Sequence, residues 1–90
     1  MNFKNEVSDL ILNQTGIKPR ILGNDYNIKF SWMSKEIQIE DDLYDTNNLT
    51  VYYGDYQYQP PQIHHYHIHK NDLLDLIHQI VLKSRPSKLY

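Results

Sequence analysis

Residues 26–40 read YNIKFSWMSKEIQIE, and their alternation decides the fold. Tyr26, Ile28, Phe30 and Trp32 alternate with Asn27, Lys29 and Ser31; past a turn expected at Ser34-Lys35, Ile37 and Ile39 alternate with Glu36, Gln38 and Glu40. Successive side chains on a strand point to opposite faces, so a period of two predicts a hairpin with one buried face and one wet face.

Upstream, Arg20 to Leu22 before Gly23-Asn24-Asp25 reads as a short strand running into a turn. Before it, Phe3, Val7, Leu10 and Ile11 recur at helical spacing, with Asn2 as a capping residue and Gly16 suited to a left-handed C-cap. Downstream, the acidic stretch EDDLYDTNN (40–48) separates the hairpin from a long β-forming run, Leu49 to Tyr58, which Pro60-Pro61 ends because proline cannot donate to a ladder. Residues 62–69 form the last strand. A second helix starts near Asn71 or Asp72, where Asp72 and Asp75 resemble a capping box, and carries the stripe Leu73, Leu76, Ile77 and Ile80. Arg85-Pro86 stops it and leaves a short basic tail.

The expected architecture is therefore α+β: one small domain over 1–83, in the order helix, four or five antiparallel strands, helix, followed by a tail over 84–90. Both amphipathic helices must bury a stripe, and packing them on one face of the sheet leaves the other open.

Ninety residues have room for one core, and without cysteine that core depends on packing alone or on a partner, a homodimer included. No apolar run is long enough to cross a bilayer, and acids interrupt the N-terminal apolar stretch, so a soluble, cytoplasmic protein is expected. Alanine is absent while Ile, Asn, Tyr and Lys abound, a usage that AT-rich genomes of bacteria, phages or mobile elements produce. The net charge of −2 hides a division: 1–35 carries +2, 36–75 carries −7 and 76–90 carries +3. An acidic middle steers toward a basic partner surface and away from phosphate.

The densest chemistry lies in QIHHYHIHK (62–70), with histidines at 64, 65, 67 and 69. If the strands flanking Pro60-Pro61 join through a two- or four-residue turn, Tyr58 lies opposite Ile63, Tyr56 opposite His65, Gly54 opposite His67 and Tyr52 opposite His69. Val51, Tyr53, Tyr66 and Ile68 then face the core, and Tyr52, Tyr56, Tyr58, His65, His67 and His69 share the open face. Same-face residues on a strand are ~6.6 Å apart, which lets an HxH pair share a metal ion. The expected neighbours are tyrosines, weak ligands at neutral pH, so no metal and no cofactor is assigned. No activated nucleophile, phosphate-cradling loop or paired carboxylates accompany the histidines, and the chain reads as non-enzymatic.

The expected function is a small protein-binding module. Its contact residues are Tyr52, Tyr56, Tyr58, His65, His67 and His69, joined by the acids Glu40, Asp41, Asp42 and Asp45. In size and acidity the chain resembles, in general character, the small inhibitors that phages deploy against host nucleic-acid-processing enzymes, whose basic grooves the acids would enter in place of DNA; no motif matches one such family residue by residue. Two alternatives differ in class. A helix, three or more strands and a helix is the outline of double-stranded RNA-binding domains, although the acidic sheet region opposes direct nucleic-acid binding. A histidine cluster also suits a metal- or pH-responsive protein, since imidazoles gain charge together on acidification.

Overall fold

Five strands in the order β1-β2-β3-β4-β5 form one antiparallel sheet: β1 (Arg20–Gly23), β2 (Asn27–Trp32), β3 (Lys35–Asp41), β4 (Asn48–Asp55) and β5 (Gln62–His69). The helix α1 (Phe3–Thr15) precedes the sheet, and α2 (Leu73–Lys83), entered through a short 3-10 turn at Lys70–Asp72, follows it. The computed structural model describes residues 3–24, 27–42 and 44–83, so the expected cap at Asn2, the start of the alternation at Tyr26 and the basic tail lie outside the described residues.

Sheet register turns the sequence alternation into two faces. One row runs Ile21, Phe30, Ile37, Tyr53, and the next runs Ile28, Ile39, Val51, Tyr66. Against this apolar side pack Val7 and Ile11 of α1 and Leu73, Ile77, Ile80 and Val81 of α2, all buried, with Phe3 and Leu10 at the margin. Both helices thus share one face of an α+β domain, as the two amphipathic stripes require. Gly16 ends α1 with φ 74°, and its N–H donates to the Leu12 carbonyl at 2.8 Å, a left-handed C-cap that a residue with a Cβ adopts at a cost.

Three boundaries differ from the sequence expectation, each for a local reason. The β2–β3 turn is Met33-Ser34, because Lys35 pairs with Trp32 and begins β3. Lys35 faces the helix side with only 5% of its surface exposed, and its ammonium donates to the Met33 carbonyl at 3.4 Å. Strand β4 stops at Asp55, where the expected strand ran to Tyr58. Asp55 accepts from the Gln57 N–H at 3.1 Å, a local bond that competes with strand continuation, and the Tyr56 N–H turns back to the Ser34 carbonyl at 2.9 Å. Finally, His69 caps the entry to the second helical segment: its Nδ1 accepts from the Asn71 N–H at 3.0 Å, the role assigned from sequence to the Asp72/Asp75 pair.

The Met33-Ser34 turn has φ of 47° and 62° at residues without glycine's freedom, the backbone of a two-residue hairpin turn that favours Asn-Gly. A left-handed conformation costs an L-residue ~1–2 kcal/mol. Ser34 is exposed, so Ser34→Gly removes that penalty without disturbing packing. We expect the variant to gain about 1 kcal/mol and to melt ~4–8 °C higher by calorimetry. An unchanged or lowered melting temperature would show that the turn is not strained.

Candidate functional site

The face turned away from the helices carries the candidate site. Across it run Leu22, Lys29, Gln38, Tyr52, His65; then Arg20, Ser31, Glu36, Gly54, Ile63; then Asn27, Glu40, Thr50, His67. Charge is graded along these rows. Arg20 and Lys29 lie on β1 and β2, Glu36 and Glu40 on β3, and the rings on β4 and β5. Lys29 pairs with Glu36 at 3.3 Å, so the sign changes at a salt bridge in mid-sheet.

The β4–β5 register corrects the one read from the sequence. Tyr52 pairs with His65 and Gly54 with Ile63, because residues 56–61 form a connection longer than the two- or four-residue turn expected. The displacement is four residues, an even number, so the faces survive while the neighbours change. Tyr52, His65, His67 and His69 remain together on the open face, and Val51, Tyr53, Tyr66 and Ile68 remain opposite. Tyr56 and Tyr58 are not strand residues; they lie in the connection, about half exposed at 47% and 51%.

Tyr56 nevertheless returns to the site through a glycine. A Cβ built on Gly54 would meet Tyr56 Cε2 at 2.9 Å, so the ring lies on bare backbone that any other residue would cover. Tyr52, Gly54, Tyr56 and Ile63, with Glu36 and Gln38, line a cleft of about 170 Å³. His65 meets the Tyr52 ring edge-on, with centroids 4.6 Å apart. Gly54, Ile63, Glu36 and Gln38 were not among the residues expected at the site. The signal that could have found them is a lone glycine inside the strand run VYYGDY.

The histidines do not converge. His65 is on Tyr52, His67 Nδ1 is 3.3 Å from the Thr50 hydroxyl, and His69 Nδ1 is held as a cap. His64 lies on the helix side, near the Tyr53 ring at 6.2 Å. Among the described residues, no three His, Asp or Glu side chains come together in a geometry that could hold a metal ion.

The four acids expected at the site separate by role. Glu40 alone faces the open side: its Oε1 accepts from Gln38 at 2.9 Å and from Asn27 at 3.4 Å. Its negative charge is the main reason the Tyr52 hydroxyl is raised above the ordinary phenol value, with burial and a hydrogen bond between the two adding to it. Asp41 has the opposite parity and pairs with Lys70 at 3.8 Å. Asp42 accepts from the N–H groups of Tyr44 and Asp45 at 2.9 and 3.2 Å. Asp45 accepts from the Asn47 N–H at 3.0 Å and from the Asn48 side-chain amide. The Asn47 bond, then Asn48, hold the Asp45 carboxyl below the ordinary carboxylate range, opposed by partial desolvation and with a smaller electrostatic contribution from the neighbouring His67 and His69. Asp42 and Asp45 therefore build the loop. The bond from the Lys70 N–H to the Asn47 carbonyl, 2.8 Å long, ties that loop to the start of the 3-10 turn.

Compared with known proteins, no family model matches this chain, and no curated protein or solved structure is significantly similar to it.

A carboxylate whose folded pKa lies below its unfolded value stabilises the fold above that unfolded value, here 3.8, and loses its contribution as the pH falls through the lower folded value. Asp45→Asn should thus lower the urea midpoint at neutral pH, and the gap to wild type should narrow on acidification below the unfolded value. Parallel urea titrations across that range check this; a gap constant with pH would remove the charge of Asp45 from the account.

Proposed function

We propose that the chain is a small protein-binding module whose contact surface is the helix-free face of the sheet, centred on the cleft of Tyr52, Gly54, Tyr56 and Ile63. The observation that carries this reading is an apolar and aromatic patch left uncovered on a face whose other side chains, Leu22 at the far edge and the ring of Tyr52 apart, are polar. Ile63 is 55% exposed, Tyr56 lies beside it, and a glycine makes room for the ring. Tyrosines supply large contact area with few rotors, the property that makes them frequent binding hot spots.

Glu36 and Glu40 stand beside this patch, so the complementary partner presents a basic surface around an apolar centre. A nucleic-acid-processing protein of a host cell, held by its basic groove, is the partner class that the acidic middle of the chain suggests, and inhibition would follow from occupying that groove. Asp42 and Asp45 are committed to their loop, so on this reading they contribute field more than direct contacts. Direct binding to a nucleic acid fits less well, because Glu36 and Glu40 occupy the middle of the same face.

The test is affinity capture from a lysate of the source cell with three tagged chains: wild type, Tyr56→Ala/Glu36→Lys on the open face, and Leu82→Arg on exposed surface of α2. One basic partner should be retained by wild type and Leu82→Arg and bound about tenfold more weakly or worse by the open-face variant, all three having the same circular dichroism. Equal retention by all three chains, loss with Leu82→Arg alone, or capture of nothing by wild type would overturn the assignment.

A further inference from the structure

A sheet ordered β1 to β5 has two edges, and each exposes backbone donors and acceptors that another strand can take. The two edges are built differently. β1 has four residues, carries the exposed Arg20, and ends at Gly23, where φ is 102° and a Cβ would sit 1.9 Å from the Asn27 carbonyl oxygen. Such an edge is short, charged and turned. β5 has eight residues, QIHHYHIH, and pairs with β4 without a bulge from Gln62 to His69. It contains no Lys, Arg, Asp, Glu, Pro or Gly, and only Tyr66 and Ile68 are even partly covered. The usual means of blunting an edge are charge, proline, a bulge or brevity, and β5 has none of them. Among the described residues, no strand pairs with its far side.

We propose that β5 pairs antiparallel with β5 of a second copy of this chain, joining two five-stranded sheets into one continuous sheet with all the helices on one side. A two-fold axis normal to the sheet keeps the faces aligned, and residues directly opposite must then have equal parity. With the axis at Tyr66, His65 faces the partner's His67 and Ile63 the partner's His69 on the open side. On the helix side Tyr66 faces its own copy and His64 the partner's Ile68. Each cross-strand pair joins two rings or a ring and a β-branched side chain, combinations that stabilise antiparallel neighbours, and none sets a carboxylate or ammonium against its like.

The helix side supplies a second reason. Tyr53, His64 and Tyr66 with Leu76, Ile80 and Lys83 line a cleft of about 210 Å³ between the outer strands and α2. A partner strand laid along β5 continues the floor of that cleft and covers the ring surface that α2 leaves open. A second copy is the occupant that matches β5 in length, and the small net charge of −2 gives two copies little reason to repel. This pairing uses the edge of the sheet and does not rest on the partner assigned above to its open face.

Sedimentation equilibrium of the full chain from micromolar to millimolar concentration tests it. The mass should rise from 10.8 kDa toward twice that value for wild type. His65→Lys/His67→Lys sets lysines opposite lysines and should remain at 10.8 kDa, as should His65→Glu/His67→Glu. An equimolar mixture of the two variants should recover the dimer, because lysine then meets glutamate at both positions. In wild type, concentration-dependent amide shifts in NMR spectra should be confined to β5 and the cleft, a readout that does not depend on how the variants fold. A monomer at every concentration, dimerisation of the lysine variant equal to wild type, no recovery on mixing, or shifts centred away from β5 would each overturn the pairing. Association of a monomeric wild type with an unrelated extended peptide along β5 would assign the edge to a different occupant.

Discussion

The register of β3 between β2 and β4 is the constraint on which the rest depends. Ile37 and Ile39 point to the helices only while Phe30 and Ile28 lie beside them on one flank and Tyr53 and Val51 on the other. A slip of one residue would carry Glu36, Gln38 and Glu40 into the core and expose both isoleucines, and burying unpaired carboxylates is far more costly than any alternative pairing could offset. The open face is therefore a consequence of the core: whatever stands there does so because its neighbours along the chain are buried.

Within that frame, the site is shaped less by the strands than by where they stop. Asp55 ends β4 by binding the Gln57 N–H, and the Tyr56 N–H then bonds to the far hairpin turn at Ser34. The resulting connection lengthens the route into β5, sets Ile63 rather than His67 opposite Gly54, and returns the Tyr56 ring to the sheet. The Gln57 side-chain amide also donates to the Met33 carbonyl at 3.3 Å, so the strained hairpin turn and the site share one buttress. Strain at one end of the sheet and the aromatic patch beside it are thus parts of the same local structure.

Charge acts here mostly through position. The acids look like a continuous field in the chain, yet they divide into Glu36 and Glu40 on the open face, Asp41 on the other parity, and Asp42 and Asp45 as acceptors for their own loop. An aspartate that accepts backbone N–H groups orders a turn before it attracts a partner. The histidines divide in the same way, into a ring contact at His65, a hydroxyl contact at His67 and a helical cap at His69.

What the sequence determined by itself was the alternation, and with it the α+β class, the order of elements, the helices on one face and the sorting of Tyr52, His65, His67 and His69 to the other. These follow from side-chain period and helical stripe, which are local properties that a chain displays without being folded. Only the tertiary structure decided which residues are neighbours: the six-residue route from β4 to β5, the Tyr56 ring on Gly54, Ile63 in the cleft, His69 as a cap and the two loop-bound aspartates. Each of these depends on a hydrogen bond or an approach between groups whose separation is fixed by register and turn length. Parity survives an even shift in register and neighbours do not, which is why the faces were legible in the residues and the site was not.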